Sequence, residues 1–274
     1  MKNIREIIHP TLVKIFSLAE KTPIVCENEN SLKGYKGGVL YTPKHSNVHD
    51  FPVLTKALGE HVYVLVGNDI KNGLVNTVML WLNGVIFVDR TNKEDCKKAK
   101  EKIIKLLSKG KKVAMFVEGS WGLDEVNPIH DFKWGFADIA KKTHVPIVPV
   151  GMEYNIEDSC HVKFMDPMYV NEDDDLATKQ QELREALSTS VWDIFELQGE
   201  KKRDDDYNNI KKSYHDYVDK SLQEFPYNIG YERELIFNRH EDPTEVVGPT
   251  YRPVEERDRI YARCKGYTLT KKKK

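Results

Sequence analysis

The sequence lacks an excess of charge of either sign, and it lacks any long apolar run. Its 274 residues carry 42 lysines and arginines against 43 acidic residues, for a formal net charge of −1. There is therefore no overall positive field to attract a nucleic acid, and no nucleic-acid-binding motif occurs. No apolar run approaches the roughly 20 residues that a membrane-spanning helix needs, and the first residues lack the order of a signal peptide. These absences argue against a nucleic-acid-binding or transmembrane protein.

Cysteine is scarce and scattered. The four cysteines form no C-x-x-C pair and no disulfide-framework spacing; they are Cys26, Cys96, Cys160 and Cys264. We therefore expect reduced thiols and a cytoplasmic protein. The G-x-S-x-G pattern of a serine nucleophile is also missing, which argues against the commonest serine-hydrolase arrangement.

What the sequence does contain is an alternation of short β-rich segments with helical segments. The hydrophobic share of 40% is enough for a sizeable core. Strands are predicted at residues 37–43, 61–67, 84–90, 112–119 and 145–152, and helices at 50–61, 93–110 and 136–144. Such alternation predicts an α/β fold with a largely parallel central sheet flanked by helices.

Composition divides the chain into three regions. Residues 1–30 are predicted to form an amphipathic helical segment, residues 31–170 the α/β core, and residues 171–274 a charged, helical or irregular appendage with a lysine tail. Apolar residues near the N-terminus recur close to helical spacing, so this segment packs in the core or lies on a membrane surface. A second apolar segment, 73–84, is predicted to belong to the core.

Two histidines and an aspartate stand together between a predicted strand and a predicted helix. His45 and Asp50 form the pattern H-x-x-x-x-D, in which a turn can bring the carboxylate back to the imidazole. A carboxylate bound to one ring nitrogen fixes the tautomer and makes the other nitrogen a better base. Without a serine nucleophile, such a base would activate a hydroxyl of the substrate. His49 is interpreted as a loop residue.

Three further predicted strands carry residues suited to a ligand site or to the core. Arg90 ends the third strand and can grip a phosphate or carboxylate through its planar guanidinium group. Glu118 and Gly119 end the fourth strand, where main-chain amides near the glycine can face a phosphate or a developing oxyanion. The last strand is explained by structure alone, because its prolines fit the start or edge of a buried strand.

Taken together and in this order, the four blocks resemble those of the glycerolipid acyltransferase family, which includes lysophosphatidic acid acyltransferases. His45 and Asp50 match the first block, and residues 84–90 match the second, an apolar strand that ends in arginine. Residues 145–150 match the fourth block, V-P-I-V-P-V. The resemblance covers about residues 35–170.

The third block departs from the family pattern F-P-E-G-T-R. The residues that match, or that replace threonine by serine, are Phe116, Glu118, Gly119 and Ser120. Val117 and Trp121 stand in place of the proline and the arginine. The family's arginine is thought to help hold the phosphate of the acceptor, so Trp121 leaves that role to Arg90 and Lys133 or implies an acceptor without a phosphate. Lys133 stands in a K-x-G pair that the family often has.

The resemblance implies an acyltransferase that moves a fatty acyl group from an acyl-CoA or acyl-carrier-protein thioester to the hydroxyl of a lysophospholipid, first of all 1-acyl-glycerol-3-phosphate. The catalytic base pair would be His45 and Asp50. The substrate-binding residues would be Arg90, Glu118, Gly119, Ser120 and Lys133, with Glu118 ordering its loop or binding an acceptor hydroxyl. Beyond the thioester co-substrate, the resemblance implies no cofactor and no metal. The partners would be the lysolipid, the thioester carrier and the cytoplasmic membrane, on whose surface the enzyme would be held peripherally.

Three other functions fit the same residues. In the first, the enzyme would transfer the acyl group to a lysolipid without a phosphate. In the second, His45, His49 and Asp50 would bind a metal ion for hydrolysis, since histidines four residues apart share a helix face. In the third, a protein with the acyltransferase fold would bind lipid without catalysis.

Overall fold

The computed structural model describes most of the first 197 residues. These are residues 4–28, 30–71, 73–119, 121–122, 128–130, 132, 134–154 and 159–197, together with Lys212 and Asp216. Ser120, Lys133 and most of the predicted C-terminal appendage lie outside the described residues.

The described residues contain one sheet of seven strands flanked by helices. The strands are β1 (Ile24–Cys26), β2 (Val39–Pro43), β3 (Tyr63–Gly67), β4 (Val85–Val88), β5 (Lys112–Ala114), β6 (Ile147–Tyr154) and β7 (Cys160–Phe164). The α-helices are α1 (Ile4–Ala19), α2 (Asp50–Leu58), α3 (Gly73–Leu82), α4 (Lys93–Leu107), α5 (Gly135–Thr143) and α6 (Leu176–Leu197). The strand order is β1-β7-β6-β2-β5-β3-β4, and every neighbouring pair is parallel except β6 with β7. The predicted α/β fold with a largely parallel sheet and an N-terminal helix is confirmed.

Strand β2 lies at the centre of the sheet because both of its faces are apolar. All five of its residues are buried, and successive side chains point to opposite faces. Leu40 packs into the core layer formed with α4, α5 and α6, whereas Val39 and Tyr41 pack into the layer formed with α2. The loop that follows β2, which carries His45, therefore starts in the middle of the sheet edge.

Helix α3 corrects one expectation, because the prediction that segment 73–84 belongs to the core is wrong. The helix has no buried residue, and Leu74 and Val75 expose 81% and 79% of their surface. The other exposed apolar residues of this helix are Val78, Met79 and Trp81. Hydropathy alone does not distinguish a buried helix from one that presents an apolar face to its surroundings.

Helix α1 packs with one face and exposes the other. His9 and Leu12 are buried, and the His9 ring stacks on His61 with the ring centroids 3.4 Å apart. Ile15 and Leu18 remain exposed. The N-terminal apolar stripe is thus divided between core and surface. Within the described parts of the chain, no helix has the length and apolar character needed to cross a bilayer.

Helix α6 packs on β6 and buries an apolar stripe. The fully buried residues of this stripe are Leu183, Leu187, Val191 and Ile194. Gly151 of β6 allows the helix to approach closely, because a Cβ there would overlap the side chain of Ser190. Strand β1, which precedes residue 31, belongs to the same sheet. The domain boundaries at residues 30 and 170 stay predictions, although elements on both sides of each contribute to the same sheet and core.

Replacing Leu187 by alanine should destabilise the fold, because it removes a fully buried side chain where α6 meets the sheet. We expect the free energy of unfolding to fall by about 3 kcal/mol. The matched control is Leu74→Ala on the exposed face of α3, which should change this free energy by less than about 0.5 kcal/mol. Denaturant titration followed by circular dichroism measures both variants. Equal stabilities would contradict the packing of α6.

Candidate active site

Residues predicted from separate motifs meet at the carboxyl edge of the parallel strands. His45 follows β2, Arg90 follows β4 and Glu118 follows β5. Because β2 and β5 are paired neighbours, their loops begin side by side. The carboxyl edge of an open α/β sheet is where ligand sites commonly form.

A short contact joins His45 to Asp50. The Nδ1 atom of His45 lies 2.8 Å from Oδ2 of Asp50. Asp50 is fully buried, and its Oδ2 also accepts hydrogen bonds from the amides of Ser46 at 2.6 Å and Asn47 at 2.8 Å. As the first residue of α2, Asp50 lies where the helix dipole favours a negative charge. The carboxylate is thus held by its own loop, and it orients the imidazole.

Aromatic side chains surround the His45 ring. The ring centroid of Phe116 lies 4.2 Å away, and that of Trp121 lies 6.1 Å away in an edge-on arrangement. Trp121 is almost fully buried, whereas 24% of the His45 side chain remains accessible. Among the described residues, no hydrogen-bond partner occupies Nε2 of His45. This nitrogen is therefore available to a ligand.

Glu118 holds the loop after β5 against the loop after β2. Its buried carboxylate accepts hydrogen bonds from the backbone amides of His45 at 3.2 Å and His130 at 2.8 Å. Gly122 donates its amide to the His45 carbonyl, and a Cβ at Gly122 would overlap the Glu118 carboxylate. Because both carboxylate oxygens receive backbone hydrogen bonds, the structure favours the loop-ordering role of Glu118 over the binding of an acceptor hydroxyl.

Arg90 and Gly119 connect the second and third sequence blocks. The Arg90 guanidinium group donates a hydrogen bond to the Gly119 carbonyl. The Gly119 amide donates to the Phe116 carbonyl at 3.1 Å, and the positive φ of 73° at Gly119 is a conformation suited to glycine. The oxyanion donor predicted at Gly119 is therefore engaged within its own turn. Ser120, predicted to share that role, lies outside the described residues.

An apolar cavity of about 420 Å³ adjoins His45. Residues from α2, β3 and α3 form its apolar walls, among them Phe51, Leu65, Val66, Met79 and Leu80. His45, Arg90 and Gly119 line the same cavity. An apolar cavity with a few polar groups is typical of a site for a small or amphipathic ligand.

Comparison with known proteins gives this arrangement a family. Residues 23–153 match the model of the acyltransferase family. Residues 23–153 therefore form an acyltransferase-family region. Its fold is similar to that of the 1-acyl-sn-glycerophosphate (LPA) acyltransferase PlsC from Thermotoga maritima, with a TM-score of 0.55 and 15% sequence identity over 71% of this chain and 84% of that chain. Among curated proteins, no sequence matches.

The matched acyltransferase region, residues 23–153, contains all four sequence blocks, from His45 to Val150. The predicted resemblance to the glycerolipid acyltransferase family is confirmed. Lys133, predicted to bind substrate in this acyltransferase, lies outside the described residues. The substrate-binding roles of Arg90 and Lys133 stay predictions.

His49 faces a different carboxylate from His45 in this acyltransferase. Its Nδ1 atom lies 2.9 Å from Oε2 of the buried Glu20. Burial raises the pKa of Glu20, but hydrogen bonds from Thr22 and His49 outweigh this effect and hold the pKa below its ordinary value. In the part of the chain that the structure describes, no group of three histidine, cysteine, aspartate or glutamate side chains is arranged to hold a metal ion. The metal-site hypothesis needs His45, His49 and Asp50 to converge on one point. In the structure His45 contacts Asp50, whereas His49 contacts Glu20.

Tyr154 belongs to the acyltransferase site although no sequence motif indicates it. Its hydroxyl donates a hydrogen bond to Oδ1 of Asp50 at 2.8 Å. Burial, and then the negative charge of Asp50, raises the pKa of the Tyr154 hydroxyl far above its ordinary value. Burial likewise raises the pKa of the neighbouring Cys160 thiol. A tyrosine at the end of a buried strand usually packs in the core, so the sequence carries no distinct signal for this contact.

Replacing Glu118 by glutamine should weaken the loop contact in this acyltransferase, because one of the two acceptor oxygens becomes an NH₂ group that faces a backbone amide. We expect the free energy of unfolding to fall by about 2 kcal/mol. The matched control is Glu101→Gln at an exposed position of α4, which should stay within about 0.5 kcal/mol of the unmodified protein. Chemical denaturation provides the measurement. If E118Q is as stable as the control, the carboxylate does not support the loop.

Proposed function

We propose that the chain transfers a fatty acyl group from an acyl-CoA or acyl-carrier-protein thioester to the hydroxyl of a lysophospholipid, first of all 1-acyl-glycerol-3-phosphate. The observation that carries this proposal is the His45–Asp50 pair beside an apolar cavity in an acyltransferase-family chain. The solved structure of similar fold is named a 1-acyl-sn-glycerophosphate acyltransferase, which supports this choice of acceptor.

In the proposed reaction, His45 acts as a general base on the acceptor hydroxyl. Asp50 accepts a hydrogen bond from Nδ1–H of His45, so Nε2 is the nitrogen that takes the hydroxyl proton as the oxygen attacks the thioester carbonyl. The C–O bond forms, the C–S bond breaks, and the proton passes from His45 to the leaving thiolate. Because the nucleophile belongs to the substrate, a single ternary complex is sufficient and no acyl-enzyme forms.

The apolar cavity is suited to a fatty acyl chain. Its walls are mainly aliphatic and aromatic, and His45 lines the same space. Each buried methylene of a ligand contributes about 0.8 kcal/mol of transfer free energy. Binding of the chain in this cavity would therefore hold the adjacent carbonyl near the base and away from water, which is the geometry that general-base attack requires.

The side chains next to the cavity bear on the acceptor headgroup. Trp121 is buried near the catalytic ring, where it cannot bind a phosphate by charge. One N–H group of Arg90 donates a hydrogen bond to the Gly119 carbonyl. A guanidinium group has five N–H donors in all, so further donors remain for a ligand. Arg90, with Lys133, thus remains the proposed ligand for a phosphate. An acceptor without a phosphate is the second candidate, and the apolar Trp121 favours it.

The exposed face of α3 is suited to a membrane surface. No charged residue occurs between Lys71 and Asp89, and the outer side of the helix is apolar. Asn76 and Leu80 of the same helix line the cavity, so α3 separates the cavity from its surroundings. We propose that α3, with the exposed residues of α1, binds the enzyme peripherally to the cytoplasmic membrane. A lipid would then need only a short path from the bilayer to His45.

Replacing His45 by alanine should strongly reduce acyl transfer, because His45 is the general base among the described residues that line the cavity. We expect kcat to fall about 10³-fold for His45→Ala and about 10²-fold for Asp50→Asn. His49→Ala, four residues away and bound to Glu20, is the matched control and should retain most activity. The assay incubates the protein with acyl-CoA or acyl-carrier protein and a panel of lysolipids with and without phosphate, followed by mass spectrometry. Lipid binding with no turnover in the unmodified protein would favour the non-catalytic alternative.

Two acidic substitutions on α3 should reduce membrane binding. Leu74→Glu with Val75→Glu introduces two charges into the exposed apolar face, and we expect at least a fivefold loss of co-sedimentation with phosphatidylethanolamine and phosphatidylglycerol vesicles, or about 1 kcal/mol. The matched control is Tyr169→Glu with Trp192→Glu, which adds the same charge at exposed aromatic residues elsewhere. Equal binding of both double variants would reject α3 as the membrane contact. Ile15→Glu with Leu18→Glu tests α1 in the same way.

A further inference from the structure

Strand β6 runs past the end of its neighbour β2. The last pair between them joins Pro43 to Val150, and β6 continues to Tyr154. On its other side this extension stays paired with β7, where Tyr154 is the register partner of Cys160. The side chains at the end of β6 are therefore placed by the hydrogen-bonded sheet and not by a loop.

The extension reaches the loop between β2 and α2. Glu153 forms an ion pair with Lys44, and both residues are buried. The next residue, Tyr154, donates its hydroxyl to Oδ1 of Asp50 at 2.8 Å. Successive strand residues point to opposite faces of a sheet. The two contacts thus hold the beginning and the end of the loop that carries His45 from different sides.

The two oxygens of the Asp50 carboxylate have different partners. Oδ2 faces His45 and accepts hydrogen bonds from the backbone amides of Ser46 and Asn47. Oδ1 receives its hydrogen bond from Tyr154, more than one hundred residues away in sequence (|i−j| = 104). A carboxylate held at both oxygens cannot rotate about its Cβ–Cγ bond, so the Oδ2 atom stays directed at the imidazole.

We propose that Tyr154 is a positioning residue for the catalytic pair, which orients the Asp50 carboxylate and moderates how strongly it holds a proton on His45. The inference rests on the proposed function, in which His45 is the general base. A donor on Oδ1 draws negative charge away from the carboxylate. The Oδ2 atom of Asp50 is then a weaker hydrogen-bond acceptor for Nδ1 of His45.

The Tyr154 hydroxyl is suited to a permanent donor. Burial and the charge of Asp50 raise its pKa, so it keeps its proton throughout the working pH range. The cavity lining does not include Tyr154. Its contact with the proposed catalytic pair is the hydrogen bond to Asp50.

The test compares Tyr154→Phe with a matched control, Tyr41→Phe. Tyr41 is a buried strand tyrosine whose hydroxyl accepts a hydrogen bond from Asn30 at 3.0 Å, whereas Tyr154 is half-buried. Both variants lose one hydrogen-bonded tyrosine hydroxyl, but only Tyr154→Phe removes a donor from Asp50. Thermal unfolding of the two variants measures the purely structural cost.

For Tyr154→Phe we expect kcat to fall about tenfold with little change in the KM of either substrate, since a hydrogen bond to a charged group is lost outside the cavity. The acidic limb of the pH profile of kcat/KM should move to higher pH by about half a unit, because the carboxylate then holds the imidazolium proton more tightly. Tyr41→Phe should leave both unchanged. A pH profile and kcat for Tyr154→Phe that equal those of Tyr41→Phe would overturn the inference.

A second readout does not depend on turnover. In proton NMR titrations, the midpoint of the His45 ring signals, assigned with His45→Ala, should move to higher pH in Tyr154→Phe and stay in place in Tyr41→Phe. If the unmodified protein transfers no acyl group but the midpoint moves, the proposed function fails and the positioning role stands. If acyl transfer occurs and the midpoint does not move, the positioning role fails alone.

Discussion

The carboxylate of Asp50 is completely buried, and a charge in that position is stable only while hydrogen bonds replace the water that it has lost. Those hydrogen bonds come from the local amides of the loop, from His45 and from Tyr154. The N-terminus of α2 adds a favourable dipole. Satisfying one buried charge therefore requires the end of β2, the start of α2 and the end of β6 to be placed together, and the geometry of the His45–Asp50 pair is a consequence of that requirement.

A second buried carboxylate extends the same principle to the neighbouring strand. Glu118 accepts hydrogen bonds from the backbone amides of His45 and His130. The loop after β5 is therefore held against the loop after β2. These hydrogen bonds join the described parts of the two loops beside the imidazole. Phe116 and Trp121 enclose that region in apolar surface, and in such surroundings electrostatic contacts are stronger than in water.

The site has one polar side and one apolar side. On one side are the hydrogen-bonded carboxylates, and on the other is an apolar cavity whose outer wall is α3. A fatty acyl chain and a hydroxyl headgroup have the same contrast, which is why the arrangement suits an amphipathic substrate. In the proposed function, the apolar outer surface of α3 would face the bilayer, since a wall that is apolar on both sides can lie between the lipid phase and the cavity.

The periodicity of the sequence predicted the strands at residues 37–43, 61–67 and 145–152, because these are short apolar runs bounded by turn residues. It did not predict β1 or β7, although β7 contributes to the core. The strand predicted at residues 112–119 is shorter, ending at Ala114. The residues after it instead make the turn that places Glu118. The helix at 73–82 has the hydropathy of a core element but lies at the surface, and hydropathy does not report which elements remain to cover a helix.

The sequence by itself determined the alternation of strands and helices between residues 37 and 152, the family resemblance, and the pairing of His45 with Asp50, since these depend on local pattern and on residues five positions apart. Only the tertiary structure decided that Tyr154 meets Asp50, that Arg90 meets Gly119, and that Glu118 supports the loop of His45. The physical reason is that these contacts depend on the order and register of strands in the sheet. Many distant residues set that order together, and no single motif records it.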